Sequence, residues 1–269
     1  MAQTIDTQVR FMKVQKYLNS SQDEMTKSMQ RISSGLRVNK ANDDAAGLAI
    51  SEHMNTLVRG MNVGIRNAND GISMSQTADG GLKQVDNLLQ RMRELALQSS
   101  NGTNSSADRE NLNAEFTSLN EEISRIASTT KFNGETVLAN DGSSVNYQLG
   151  PHTGEDDTVS IDLVAIESLS ADISTYSASQ ASIGAIDSMI ADVASSRANF
   201  GAVQSRFESA MDNLQVGVEN QSAARGRIVD ADFAVEAAML ARSKIMQQAG
   251  AAMSSQANVT PRSVTQLLG

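Results

Sequence analysis

The sequence predicts a mainly α protein. It reads as a bundle of long helices whose N- and C-terminal segments pair as a coiled coil, with a small β-hairpin region in the middle. Three observations predict this. Apolar residues recur at helical spacing at both ends of the chain. Only two prolines occur, Pro151 and Pro261, so the first 150 residues lack the residue that breaks helix interiors. Strict apolar–polar alternation appears only near the middle.

The first element spans residues 3–36. Phe11, Leu18, Met25 and Ile32 recur every seven residues, with Ile5, Val14, Met29 and Leu36 between them. Ser33, Ser34 and Gly35 then offer a break. A second helix is expected to start near residues 42–44, where Asp43 and Asp44 suit an N-terminal turn, and to run to about Ser99. Leu82, Val85, Leu89, Met92 and Ala96 pattern its later half. Gly60, Gly64, Gly71, Gly80 and Gly81 each cost about 1 kcal/mol relative to Ala. They are read as places where another helix comes close, with a loop at Gly80–Gly81 as the alternative.

Residues 100–107 (SNGTNSSA) compose a turn. Leu112, Phe116, Leu119, Ile123 and Ile126 then mark a third helix. Val145, Tyr147 and Leu149, and again Val159, Ile161 and Leu163, alternate with polar residues across a loop at 150–158, as in a hairpin with one buried face. Residues 168–182 are Ser-rich and read as a linker. The fourth helix carries Ile183, Ile186, Ile190, Val193, Phe200, Val203, Phe207, Ala210, Leu214 and Val218, interrupted once by Arg197. Gly226 suggests a hinge before the last helix, where Val235, Met239, Met246 and Met253 make a stripe joined by Leu240 and Ala249. Pro261 is expected to begin its end. Folding the chain back on itself would bring the first helix to the last. Stripes at both ends need partners, supplied by each other or by a neighbouring copy.

Composition narrows the functional classes. Aromatics make up 3 % of the 269 residues and Trp is absent, so the core relies on aliphatic and Met side chains suited to packed helices. A net charge of −9 argues against nucleic acid as the main partner. Cysteine is absent, which excludes disulfides and thiolate metal sites. No apolar run reaches the roughly 18 residues of a membrane span. The first 30 residues lack a signal-peptide core, so the chain is expected to be cytoplasmic or exported without a cleaved apolar signal.

Four segments resemble bacterial flagellins: residues 32–50 (ISSGLRVNKANDDAAGLAI), 69–98 (NDGISMSQTADGGLKQVDNLLQRMRELALQ), 199–231 (NFGAVQSRFESAMDNLQVGVENQSAARGRIVDA) and 245–257 (IMQQAGAAMSSQA). Leu267 and Leu268 also look like the family's end. Only residues 132–181 separate the two helical halves, so the chain resembles a short flagellin with little or no variable outer domain. The resemblance implies terminal coiled-coil helices, 1–41 with 229–269, as an inner filament core. Residues 42–228, with a hairpin at about 132–165, would form an outer tube. It implies a non-enzymatic structural subunit without cofactor, which is secreted through the flagellar type III route and polymerises with itself for swimming motility. It also implies an export chaperone, cap and hook-junction proteins, and the vertebrate Toll-like receptor for flagellin as partners. The matching receptor positions are Arg91, Leu95 and Glu115. An Arg and a Leu four apart would share a helix face, and packing against another subunit is the alternative use of that face. In the family the hairpin region at 145–163 helps switch protofilament length; a passive cap over the bundle is the alternative. A hook–filament junction protein is the competing function.

Other motifs are weak. Asp43 and Asp44 are adjacent and diverge on a helix, unlike a general acid–base pair. His53 and His152 lie in different elements without metal-ligand spacing. No Lys-Ser/Thr follows Gly80–Gly81, which excludes a phosphate loop. Asn19, Asn101 and Asn104 match the three-residue N-glycosylation pattern, which has little meaning in a bacterial protein. Residues 142–181 are where Ser- or Thr-linked glycans would be expected.

Overall fold

The computed structural model describes residues 9–139 and 143–268, with the backbone alone at Arg10, Glu155 and 257–268. Five helices dominate: α1 (Val9–Ser34), α2 (Ala45–Ser99), α3 (Ser106–Thr129), α4 (Tyr176–Val229) and α5 (Phe233–Leu268). Two antiparallel hairpins lie between α3 and α4. One joins β1 (Lys131–Phe132) to β2 (Glu135–Thr136), and the other joins β3 (Ser144–Gln148) to β4 (Thr158–Asp162). The chain divides into two compact units, Met1–Thr56 with Asn220–Gly269, and Leu57–Glu219.

The larger unit is built on the predicted stripes. Leu82, Val85, Leu89, Met92 and Ala96 of α2 are buried, as are Phe116 and Ile123 of α3 and Ile186, Val193, Phe200 and Phe207 of α4. Arg197 breaks the α4 stripe because it reaches Asp79 of α2 at 2.7 Å. Arg93 of α2 meets Asp187 of α4 at 2.6 Å. A capping box starts α3: the Ser105 hydroxyl accepts from Asp108 N, and the Asp108 carboxylate accepts from Ser105 N.

The β3–β4 register pairs Val145 with Ile161 and Tyr147 with Val159, which puts the alternating apolar set on one face. This hairpin fills the groove of α2 at Gly60 and Gly64, whereas helix α4 comes close at Gly71. A Cβ on Gly60 would lie 2.8 Å from Pro151 Cβ, and one on Gly64 would fall on the Leu149 carbonyl. Gly71 takes the Phe207 ring. Gly80 is open and α2 continues through it, so no loop forms there.

The Ser-rich segment is a strap rather than a free linker, and α4 already begins at Tyr176. Asn120 donates to Leu169 O and accepts from Leu169 N, both at 2.9 Å. Asn113, two turns earlier on α3, accepts from Ile173 N at 3.0 Å. Buried Ser179 donates to Ser99 Oγ, which donates to Ile173 O at 2.5 Å. These bonds satisfy the backbone of an extended segment laid along α3.

In the smaller unit α1 and α5 run antiparallel. Arg31 meets Glu236, Gln22 meets Gln247, and the Ser21 hydroxyl donates to Ser243 O at 3.0 Å. Gly35 closes α1 in the left-handed region at φ 72°. The turns after α1 and after α4 are bridged: Arg37 N donates to Val229 O at 2.7 Å, and Ala231 N donates to Gly35 O at 2.9 Å. The break before α5 therefore falls at residues 230–232, where backbone groups are used across the bridge. The expected hinge at Gly226 is absent, and α4 continues through it. Asp44 accepts from Gly47 N at 2.8 Å and caps α2. Asp43 accepts from Asn39 N and Lys40 N, which holds the turn and lowers its pKa. The helix α5 continues past Pro261 to Leu268; a proline removes one backbone bond but does not by itself end a helix. Ile5 lies outside the described residues.

Candidate assembly and recognition surfaces

Arg91 stands on the outer side of α2. Its guanidinium donates to Glu115 of α3 from Nε at 3.1 Å and Nη2 at 2.9 Å, and to Glu94 from Nη1 at 3.0 Å. The Glu115 and Glu94 hydrogen bonds raise the Arg91 pKa. All three side chains are exposed, so the cluster is a charge pattern more than a source of stability. Leu95 does not join it. Only 1 % of Leu95 is exposed. The inward stripe of α2 widens at this turn, where Met92, Leu95 and Ala96 are all buried. The expected apolar spot with a charged rim is therefore corrected to a charged surface above a buried leucine.

Along α1, Phe11, Val14, Leu18, Ser21, Met25, Ser28 and Ile32 form the least exposed stripe. The corresponding stripe of α5 is Glu236, Leu240, Ser243, Gln247, Gly250 and Ser254, in steps of four and three. It is largely polar or small. Leu18 lies against Gly250, where a Cβ would come within 3.3 Å of Leu18 Cγ. Glu236 is buried, and its Oε2 has no hydrogen-bond partner beyond the ion pair that Oε1 makes with Arg31 at 2.9 Å. Among the described apolar residues of α5, Leu240 sits in this stripe and others stand off it. Val235, Met239, Met246 and Met253 stand 48–61 % exposed. Small residues permit close helix approach, whereas the longer methionines would hold α1 away.

A cavity of about 690 Å³ opens between α2 and the two hairpins, lined among others by Asp70, Met74, Phe132, Glu135, Tyr147 and Leu163. Tyr147 donates to Met74 Sδ at 2.9 Å, and its ring meets Phe207 edge-on at 5.6 Å. Burial, with Asp70 nearby, raises its pKa. The tyrosine packs; its hydroxyl is engaged by a thioether rather than by a base. Among the described residues no group of three or more His, Asp or Glu is placed to hold a metal, and no helix is long and apolar enough to cross a membrane.

Residues 5–143 match the family model for the bacterial flagellin N-terminal helical region, and residues 183–268 match that for the C-terminal helical region. The chain belongs to the bacterial flagellin family. A flagellin of Halalkalibacterium halodurans is 44 % identical over 247 residues, covering 90 % of this chain and 91 % of that protein. Flagellin B of Vibrio cholerae is 49 % identical over 155 residues, covering 58 % of this chain but 41 % of the longer relative. A Bacillus cereus flagellin structure aligns at a TM-score of 0.49 and 30 % identity, over 55 % of this chain and 88 % of that one.

Membership in the flagellin family makes this chain a structural subunit of the extracellular flagellar filament, which self-polymerises. The near-full match to a relative of similar length fits a short flagellin without a large variable domain. The β1–β2 hairpin went unread in the sequence. Its signal was Asn133–Gly134, which takes positive φ values of 50° and 91° at the turn.

Proposed function

We propose that the outward stripe of α5 is the principal contact through which flagellin subunits of this kind add to the filament. The observation that carries the reading is the separation of faces on α5. Its small and polar residues are used against α1, while Val235, Met239, Met246 and Met253 remain exposed. Contiguous exposed apolar surface of this kind marks an interaction site. In this reading residues 1–41 and 229–269 form the inner core layer, with Phe11, Leu18, Met25 and Ile32 holding α1 to α5. Residues 42–228 form the outer tube. The subunit leaves the cell unfolded by the flagellar type III route, meeting an export chaperone before export and cap and hook-junction proteins after it.

The exposed Arg91–Glu94–Glu115 cluster serves lateral packing in the filament, and on the free subunit it is the surface read by the vertebrate Toll-like receptor for flagellin. Leu95 supports the cluster from beneath. Electron microscopy after seeding tests the assembly reading, comparing the full chain with one lacking 1–41 and 229–269. Filaments of uniform width should grow from the full chain alone. Filaments from the truncated chain would show that the terminal helices are dispensable, and failure of both would favour a hook–filament junction protein.

A further inference from the structure

The described methionines range from buried to exposed, with Met25, Met54, Met189 and Met211 half-buried. Met61, Met74 and Met92, in the bundle, are at most 8 % exposed. Met12 and Met29 of α1 and Met239, Met246 and Met253 of α5 are 50–61 % exposed, and they are the large exposed methionines among the described residues. The three on α5 recur every seven residues, which places their sulfurs on one face at intervals of about 10 Å. Helical leucine would supply the same apolar area with better-defined rotamers; thioether adds an oxidisable lone pair.

We propose that this face is an oxidation-sensitive site, at which a two-electron oxidant of the peroxide or hypohalous acid class converts Met239, Met246 and Met253 to sulfoxides and blocks addition of the subunit to the filament. With hydrogen peroxide, the sulfur lone pair attacks one peroxide oxygen and the O–O bond breaks. An S–O bond forms, and the departing oxygen leaves as water after proton transfer. Sulfur is oxidised by two electrons and the peroxide is reduced by two. The product carries a strong hydrogen-bond acceptor on a side chain that has to be desolvated on assembly, and an acceptor buried without a donor opposes burial. The consequence rests on the assembly reading above. Once a subunit is incorporated the same sulfurs are covered, so sensitivity belongs to the free subunit.

Peroxide treatment of purified full-length subunits and of preformed filaments, followed by peptide mass measurement and seeded growth, tests the proposal. Sulfoxide should accumulate at Met239, Met246 and Met253 in free subunits, remain low there in filaments, and spare Met74 and Met92 in both. Growth of the oxidised subunits should fall roughly tenfold or more. Repair with methionine sulfoxide reductase should restore growth, and peroxide should not lower the growth of the M239L/M246L/M253L variant below that variant's own untreated rate. Normal growth of subunits fully oxidised at these three positions would overturn the proposal while leaving the assembly reading intact. An equal fold-loss on peroxide treatment of the triple variant, measured against its own untreated rate, would overturn it too, by placing the damage elsewhere. Untreated wild-type subunits that never extend a seed would refute the assembly reading itself, and the proposed block with it.

Discussion

Replacing Gly64 by Ala separates helix propensity from packing more sharply than any other single change. In an exposed helix interior Gly→Ala is favourable by about 1 kcal/mol. At Gly64 the added methyl would fall on the Leu149 carbonyl oxygen and lie 2.7 Å from the carbonyl carbon. A backbone carbonyl cannot rotate away, so the β3–β4 hairpin has to lift. Lifting it exposes Leu149, now 5 % exposed, at a cost of about 1.5–3 kcal/mol. It also breaks the 2.7 Å bond from Asn67 Nδ2 to Gln148 O, worth about 1 kcal/mol. Against the propensity gain, the net is a destabilisation of about 2 kcal/mol. For a unit of this size that lowers Tm by roughly 4–8 °C. Gly80→Ala is the control, because nothing lies within 4 Å of its Cβ; it should gain about 1 kcal/mol. Urea unfolding followed by far-ultraviolet circular dichroism gives both values, and the near-ultraviolet band of Tyr147 reports the hairpin. Equal stability of the two variants would refute the claim that the glycine groove seats the hairpin.

Four further outcomes are expected. Phe207→Ala, which empties a fully buried site against Gly71 and Tyr147, should cost about 3–5 kcal/mol in the same assay. Arg31→Ala should loosen α1 from α5 more than the Arg31→Ala/Glu236→Ala pair does, since the single change leaves a buried carboxylate alone; amide exchange around residue 236 measures the difference, about 1–3 kcal/mol. Hydrogen bonds from the Ser105 hydroxyl and amide hold the Asp108 carboxyl below the ordinary carboxylate value. Its contribution is thus present above the ordinary carboxylate value and lost as pH falls through the lower folded one. Asp108→Asn should flatten the dependence of Tm on pH in that acid range and leave neutral behaviour nearly parallel to wild type. Arg91→Ala should leave Tm unchanged and reduce signalling in receptor reporter cells; full signalling would remove Arg91 from the recognition surface.

The helices were legible because their burial follows periodicity. Leu82 to Ala96, Phe116 to Ile123 and Ile186 to Phe207 are stripes of large apolar residues that face the core where their spacing put them, with Leu119, Ile190 and Val203 half-buried and the others buried. What a stripe meets is another matter. The α5 face toward α1 contains Glu236, Ser243, Gln247 and Gly250, and a hydrophobic pattern cannot announce an interface made of small and polar groups. Conversely, spacing alone marks the apolar stripe of α5 as a packing face, while the structure leaves it exposed. Gly60 and Gly64 signalled close approach, but spacing does not say whether a helix or a hairpin approaches. The strap along α3 depends on Asn113 and Asn120, whose side chains mimic a strand edge, and on hydroxyls that composition labels only as linker. Leu95 shows the limit for the candidate site: position four from Arg91 fixes an angle on the helix, while the width of the buried face decides exposure.

If the outward face of α5 drives filament growth, a charge placed on it should stop addition of the subunit. Met246→Asp places a charge in the middle of that face, on a side chain that is 52 % exposed in the free subunit. The decisive measurement is the rate at which this variant extends wild-type filament seeds, with circular dichroism to establish unchanged helix content. The variant should be a folded subunit that does not extend the seeds. Extension at the wild-type rate would contradict that role of the face.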